Sequence, residues 1–236
     1  AFLTERFQAL GLEPGNMNGS YEQAVPLLGI KSSPAVFFTG GDTVLEPKFP
    51  SEFVAMTRRN VPGMALEGSE VVFVGYGVKA PEYRWDDYKG LDLRKKTILM
   101  LVNDPPVADR KDPLKLDERV FKGRAMTYYG RWTYKFEIAS ELGAAAAFVI
   151  HETEPAGYPY EVVSGSWARE QFELAAPSSG PARVPVEGWV SSDTAKRLFA
   201  MAGKDYELLK AAAAKPDFAP VSLGVTLDAR VTNELR

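Results

Sequence analysis

The sequence contains no cysteine and a single histidine, His151, among 236 residues. The first absence excludes disulfides, zinc fingers, thiol nucleophiles and iron–sulfur clusters. The second is nearly as restrictive. A co-catalytic dizinc site draws on several imidazole and carboxylate ligands. A Ser-His-Asp triad would need that same His151 beside a nucleophile on a strained turn. No G-x-S-x-G is present, and the nearest approach, Ser164-Gly165-Ser166, falls in a stretch that reads as loop. His151 precedes Glu152 and Glu154, but adjacent side chains on extended backbone point to opposite faces. His151 therefore reads as a structural or loop residue, not as a metal ligand.

Neither sign of charge dominates: 28 basic residues face 31 acidic ones, and the strongest basic run is only Arg94-Lys95-Lys96. Binding along a phosphate backbone needs a clustered basic face, so nucleic acid is not an expected partner. No run approaches the roughly 20 apolar residues of a membrane span, and no signal-peptide pattern stands at the start. The chain opens on Ala1-Phe2-Leu3 without a methionine and runs straight into a helical pattern. It reads as beginning inside a longer parent.

Hydrophobic residues make up 45% of the chain, enough for a sizeable core and for one large domain or a domain with an appendage. Leu3, Phe7 and Leu10 predict a helix over 1–10 closed at Gly11, and its apolar stripe needs a surface to cover. Ala24 to Ile30 reads as a strand, Phe37-Phe38 as part of another, and Gly40-Gly41-Asp42 as a turn. Ser51 could cap a short helix through Arg59, with Phe53, Val54 and Met56 inward. Further strands are expected at 70–75, 97–102, 144–150, 186–190 and 221–231. Helices are expected at 132–142, from Ser191 or Ser192 to Gly203, and from Asp205 to Pro216. Residues 107–131 read as a long ordered loop, a length that often marks function, and residues 152–185 as irregular. The pattern is α/β in class and strand-rich, closer to α+β, with a compact unit over about 66–220.

Three groups of residues raise questions of chemistry. Gly75-Tyr76-Gly77-Val78-Lys79-Ala80 fits the loose dinucleotide pattern G-x-G-x-x-A, but Pro81 blocks the helix that pattern requires. The glycines read instead as a strand-end turn. Asp86, Asp87 and Asp104 read as solvated turn residues. The stretch Arg124 to Lys135, RAMTYYGRWTYK, carries Tyr128, Tyr129, Trp132 and Tyr134 with Arg124 and Arg131. Aromatic and arginine clusters are enriched where surfaces bind partners. Trp132 and Tyr134 read as packing inward, whereas Tyr128, Tyr129 and Arg131 fit a binding surface and inward packing equally.

The segment from Val71, with FVGYGVKAPEYRWDDYKGLDLRKKTILMLVNDPP, resembles the protease-associated domain of bacterial dizinc aminopeptidases, relatives of glutamate carboxypeptidase and the transferrin receptor. TYYGRWTYKFEIASELGAAAAFVIHE from Thr127, the Ala156-Gly157-Tyr158-Pro159 region and Pro185 to Gly203 resemble the same domain. The helix over 1–10 with Gly11-Leu12-Glu13-Pro14 is similar to the first helix of the peptidase domain in that family.

The resemblance implies a swivelling β/β/α domain, a β-sandwich or open barrel flanked by a few helices. It divides the chain into a peptidase-domain remnant (1–30), connecting strands and a short helix (31–65), the protease-associated domain (66–220) and a return strand (221–236). It implies an exported parent that hydrolyses N-terminal peptide bonds with two zinc ions, held in a domain this chain does not contain. The partners are then that peptidase domain and peptide substrate. No catalytic or metal residue of the family has a counterpart here, so the segment alone is expected to be inactive. Tyr128, Tyr129 and Arg131, with Arg124 and Trp132, are the expected substrate-facing or partner-binding residues. A freestanding peptide- or protein-binding module and a dimerisation domain are the alternative readings.

Overall fold

Long apolar runs buried on both sides dictate the architecture. In the computed structural model, which describes residues 1–175 and 183–236, four such runs form a parallel core: β4 (Gly63–Phe73), β7 (Thr97–Leu101), β8 (Ala146–His151) and β10 (Val186–Ser191). Every residue of β7 and β8 is buried, the pattern expected of strands covered on both faces. Antiparallel strands extend this core on both flanks. On one side β11 (Val221–Leu235) pairs with β4, and β1 (Leu27–Gly40) pairs with β11. The short β2 (Thr43–Leu45) and β9 (Gln171–Leu174) pair with β1. On the other side β3 (Phe53–Met56) pairs with β10.

These nine strands make one mixed sheet that curls as an open half-barrel flanked by helices, and the two-residue strands β5 (Lys79–Ala80) and β6 (Trp85–Asp86) pair with each other apart from it. Phe38 of β1 meets Phe148 of β8 edge-on at 6.2 Å although β11, β4 and β7 lie between their strands in the sheet. Alternation along the strands sorts side chains into two cores. The inner one holds Phe38, Phe73, Phe148 and Leu227 under α5 (Ser192–Met201) and α6 (Tyr206–Ala213). The outer one holds Val72, Met100, Val149 and Trp189 under α2 (Trp132–Glu141) and α4 (Tyr160–Trp167). The caps follow the sequence: Ser191 accepts from the Thr194 amide and Asp205 from the Leu208 amide, each satisfying a free donor of the first turn.

Several expectations need correction. Residues 53–56 form β3, not a helix, because Phe53 and Ala55 feed one core while Val54 and Met56 feed the other. That two-faced burial suits a strand and leaves no polar side for a helix. Residues 152–175 are largely regular: a one-turn helix α3 (Thr153–Ala156), then α4 and β9. Ser164-Gly165-Ser166 lies inside α4, where both hydroxyls bond back to helix carbonyls. The rest of that expected irregular stretch, 176–182, lies outside the described residues. Asp87 and Asp104 are buried, not solvated. The first helix, by contrast, forms as expected: α1 (Phe2–Ala9) buries nothing, and Phe2, Leu3, Phe7 and Leu10 stand exposed.

Gly188 marks where β10 is pressed between neighbours. A Cβ there would collide with the Val54 carbonyl oxygen and sit 2.7 Å from the Phe148 ring. Both neighbours are buried in the centre of the fold, so neither has room to retreat. Gly188→Ala is expected to lower stability by about 1–3 kcal/mol, the usual cost of overpacking a core. Chemical denaturation measures it; an unchanged midpoint would mean that β10 has slack the packing does not show.

Candidate functional site

β4 and β7 end in turns at 74–78 and 102–104, and a third turn, at 127–131, leads into α2. One side chain ties the three together. Lys135 is 0% exposed, and its Nζ donates to the carbonyl oxygens of Tyr76 (2.6 Å), Asn103 (3.1 Å) and Tyr129 (3.3 Å). An ammonium has three protons and no acceptor, so each proton has a carbonyl. Burial pushes this amine down to about 8, against the opposing pull of Asp104 and Asp87.

Those two carboxylates have their own donors. Asp104 accepts from the Thr127 amide (2.6 Å) and hydroxyl (2.8 Å). Asp87 accepts from the Val78 amide (2.9 Å) and the Trp85 indole (2.7 Å). Burial nevertheless pushes Asp87 up to about 7 and raises Asp104. Gly130 completes the knot: a Cβ on it would lie 2.9 Å from the Asp104 amide nitrogen and 3.0 Å from Asn103 Oδ1. Only glycine lets the 127–131 turn dock so closely.

The turn so held presents the aromatic cluster. Tyr128 and Tyr129 begin a 3-10 turn (Tyr128–Gly130) whose capping residue, Thr127, accepts from the Tyr129 amide through its hydroxyl. Their rings meet Tyr134 of α2 edge-on, with centroids 5.8 and 5.0 Å away. Tyr128 is 54% exposed and its hydroxyl bonds Glu137, while the half-buried Tyr129 donates to Glu82 at 2.8 Å. The Glu82 carboxylate holds the Tyr129 hydroxyl up to about 12, so it stays protonated at neutral pH. The outward surface is two tyrosines with fixed hydroxyls, flanked by two carboxylates. Such a face can stack on flat or apolar groups and accept hydrogen bonds from amines or amides.

The five residues singled out from sequence are not brought to one place. Tyr128, Tyr129 and the exposed Arg131 share the turn. Trp132, 37% exposed, turns instead to Phe136 and Trp167, so its expected inward packing is incomplete. There it covers Arg58, which lies 5.9 Å from the Trp132 ring and 5.4 Å from the Trp167 ring and pairs with Glu187 and Glu173. Arg124 lines a shallow groove of about 400 Å³ with Lys115, Glu118 and Lys122. Lys135, Glu82 and Glu137 carry no expectation from the sequence, and Asp87 and Asp104 read there only as solvated turn residues. Lys135 had a signal: it occupies the i+3 position of the stripe Trp132, Lys135, Phe136, Ala139, the spacing of one helix face. His151 is buried and not grouped with carboxylates: among the described residues no three His, Cys, Asp or Glu side chains are placed to hold a metal. No helix among them is long and apolar enough to cross a membrane.

Two measurements check the knot. Lys135→Met leaves three carbonyls and two carboxylates without their cation. It is expected to cost about 2–4 kcal/mol and to speed amide exchange across 127–131 before the sheet is affected; uniform loosening would deny the turn its special dependence. Asp87 ionises near 3.9 when unfolded and near 7 when folded, so the native state holds the extra proton between those values. Its contribution to stability falls as pH rises through that window. Asp87→Asn is expected to remove about 1–3 kcal/mol of the wild-type loss between pH 5 and 7. An unchanged pH slope would take Asp87 out of the account.

Comparison with known proteins places no family on the chain: no family model matches it, and no curated protein does. Among solved structures it is similar to an aminopeptidase from Aneurinibacillus sp. strain AM-1, at 13% identity and a TM-score of 0.30, a weak likeness. The alignment covers 100% of this chain and 38% of the other, so the chain spans little more than a third of that protein.

Proposed function

We propose that this chain is a non-catalytic accessory domain of a zinc-dependent aminopeptidase, a protease-associated insert that covers the substrate cleft of an exported enzyme. The observation that carries the reading is how the chain enters and leaves the sheet. β1 and β11 are antiparallel partners from Ile30↔Leu235 to Thr39↔Thr226, and Gly29 and Arg236 exchange backbone hydrogen bonds of 2.9 and 3.0 Å. The chain therefore arrives and departs at one end of one strand pair, the geometry that lets a unit be inserted into a host without disturbing the host's own path. The exposed stripe of α1 is a second support, since Phe2, Leu3 and Leu10 find no cover among the described residues.

On this reading the two zinc ions and the general base belong to the host domain. This chain supplies the wall. Tyr128 and Tyr129 flank a peptide side chain, and Arg131, with Arg124 further along the loop, offers a guanidinium to a carboxylate. The turn can act as a wall because the buried Lys135 fixes it from behind.

The purified chain with added zinc is expected to give no turnover of aminoacyl-nitroanilides; robust metal-dependent turnover would overturn the reading. In the protein that carries the peptidase domain, Tyr128→Ala with Tyr129→Ala is expected to raise KM for tri- and tetrapeptides about three- to tenfold. That is the scale of about 1 kcal/mol of lost binding. Turnover of a single-residue nitroanilide is expected to change little. Equal effects on both substrates would remove the tyrosines from the cleft. Loss of a concentration-dependent dimer on the same substitutions would favour a dimerisation domain, and peptide binding by the chain alone a freestanding module.

A further inference from the structure

A second group of polar side chains lies in the outer core, away from the aromatic turn. His151 ends β8 and is 2% exposed, Trp189 in β10 is 1% exposed, and Tyr160 is the first residue of α4. The His151 ring centre is 5.5 Å from that of Tyr160 and 6.1 Å from that of Trp189, so the three rings form one contiguous cluster. Within it, His151 Nε2, the Tyr160 hydroxyl and Trp189 Nε1 are all buried, and none has a hydrogen-bond partner among the described residues. Roughly nine in ten buried polar atoms in folded proteins are paired with protein or ordered water. Three orphans in one ring cluster are therefore a shared feature of the site.

Their chemistry is complementary. The Trp189 indole can only donate, and the Tyr160 hydroxyl can donate and accept. Burial lowers the His151 imidazole from its usual range, against the opposing pull of the Tyr158 backbone, and keeps the ring neutral, so one ring nitrogen carries a proton and the other a lone pair. A proton on Nδ1 leaves the Nε2 lone pair as an acceptor. One donor, one acceptor and one group able to do either match a molecule with two protons and two lone pairs. A metal cation would gain no ligand from the indole, whose N–H has no lone pair to offer. An anion would face the Nε2 lone pair.

We propose that His151 Nε2, the Tyr160 hydroxyl and Trp189 Nε1 together bind one internal water molecule, which fastens α4 to the ends of β8 and β10. The water accepts from Trp189, donates to His151 and exchanges a hydrogen bond with Tyr160. Buried waters typically make two to four such bonds.

A crystal structure of the chain at better than about 1.8 Å tests this directly. The expected result is one ordered peak without anomalous signal, within about 2.7–3.2 Å of at least two of the three atoms. No peak, an anomalous scatterer in its place, or side chains rearranged to bond one another or residues 176–182 would each overturn the proposal. In Tyr160→Phe the peak is expected to weaken and the Trp189 indole N–H resonance to shift, and in His151→Phe the water should be expelled. A peak unchanged in both variants would show that these residues do not hold it.

Discussion

The positive charge of Lys135 sits where no solvent reaches it, and three turns are arranged around that fact. A buried ammonium is tolerated only when every proton is accepted and compensating charge stands near. The carbonyls of Tyr76, Asn103 and Tyr129 supply the first condition, and Asp87 and Asp104 the second. The three carbonyls come from the ends of β4 and β7 and from the turn before α2. Satisfying one side chain thus fixes the relative positions of segments up to 59 residues apart in sequence. The aromatic face on the 127–131 turn inherits its rigidity from this arrangement.

The same economy appears at the first residue of α2. Arg58 is sandwiched between Glu187 and Glu173 and roofed by Trp132 and Trp167. It joins the turn after β3 to β10 and to β9. Helix α2 is thus flanked by two cations, the buried Lys135 on its own inner face and the largely covered Arg58 beneath its first residue. A helix of ten residues gains little from propensity alone, and here its position is set by the charges it covers.

How legible this was depended on how local the cause is. The strands at 70–75, 97–102 and 144–150, and the helices capped by Ser191 and Asp205, announce themselves through apolar runs and capping side chains. β3 did not, because four consecutive apolar residues look alike in a buried strand and a buried helix turn. The α4 segment was hidden by a glycine between two serines, residues that lower helix propensity without forbidding a helix packed on Val163 and Trp167. At the candidate site Tyr128, Tyr129 and Arg131 were visible as a composition, but their anchor was not. Asp87 and Asp104 carry ordinary turn signatures, and only tertiary packing turns such residues into buried partners of a lysine.

The pairing of β1 with β11 also has a mechanical side. Both strands reach the same end of the sheet, with Ile30 opposite Leu235. A pull applied there, at Leu27 and Arg236, would load the cross-strand hydrogen bonds one after another, peeling the ladder like a zipper. A pull along the strands would stress all ten register pairs at once. The sheet is therefore built to yield softly at the Ile30–Leu235 end of this ladder while the parallel strands behind it remain intact.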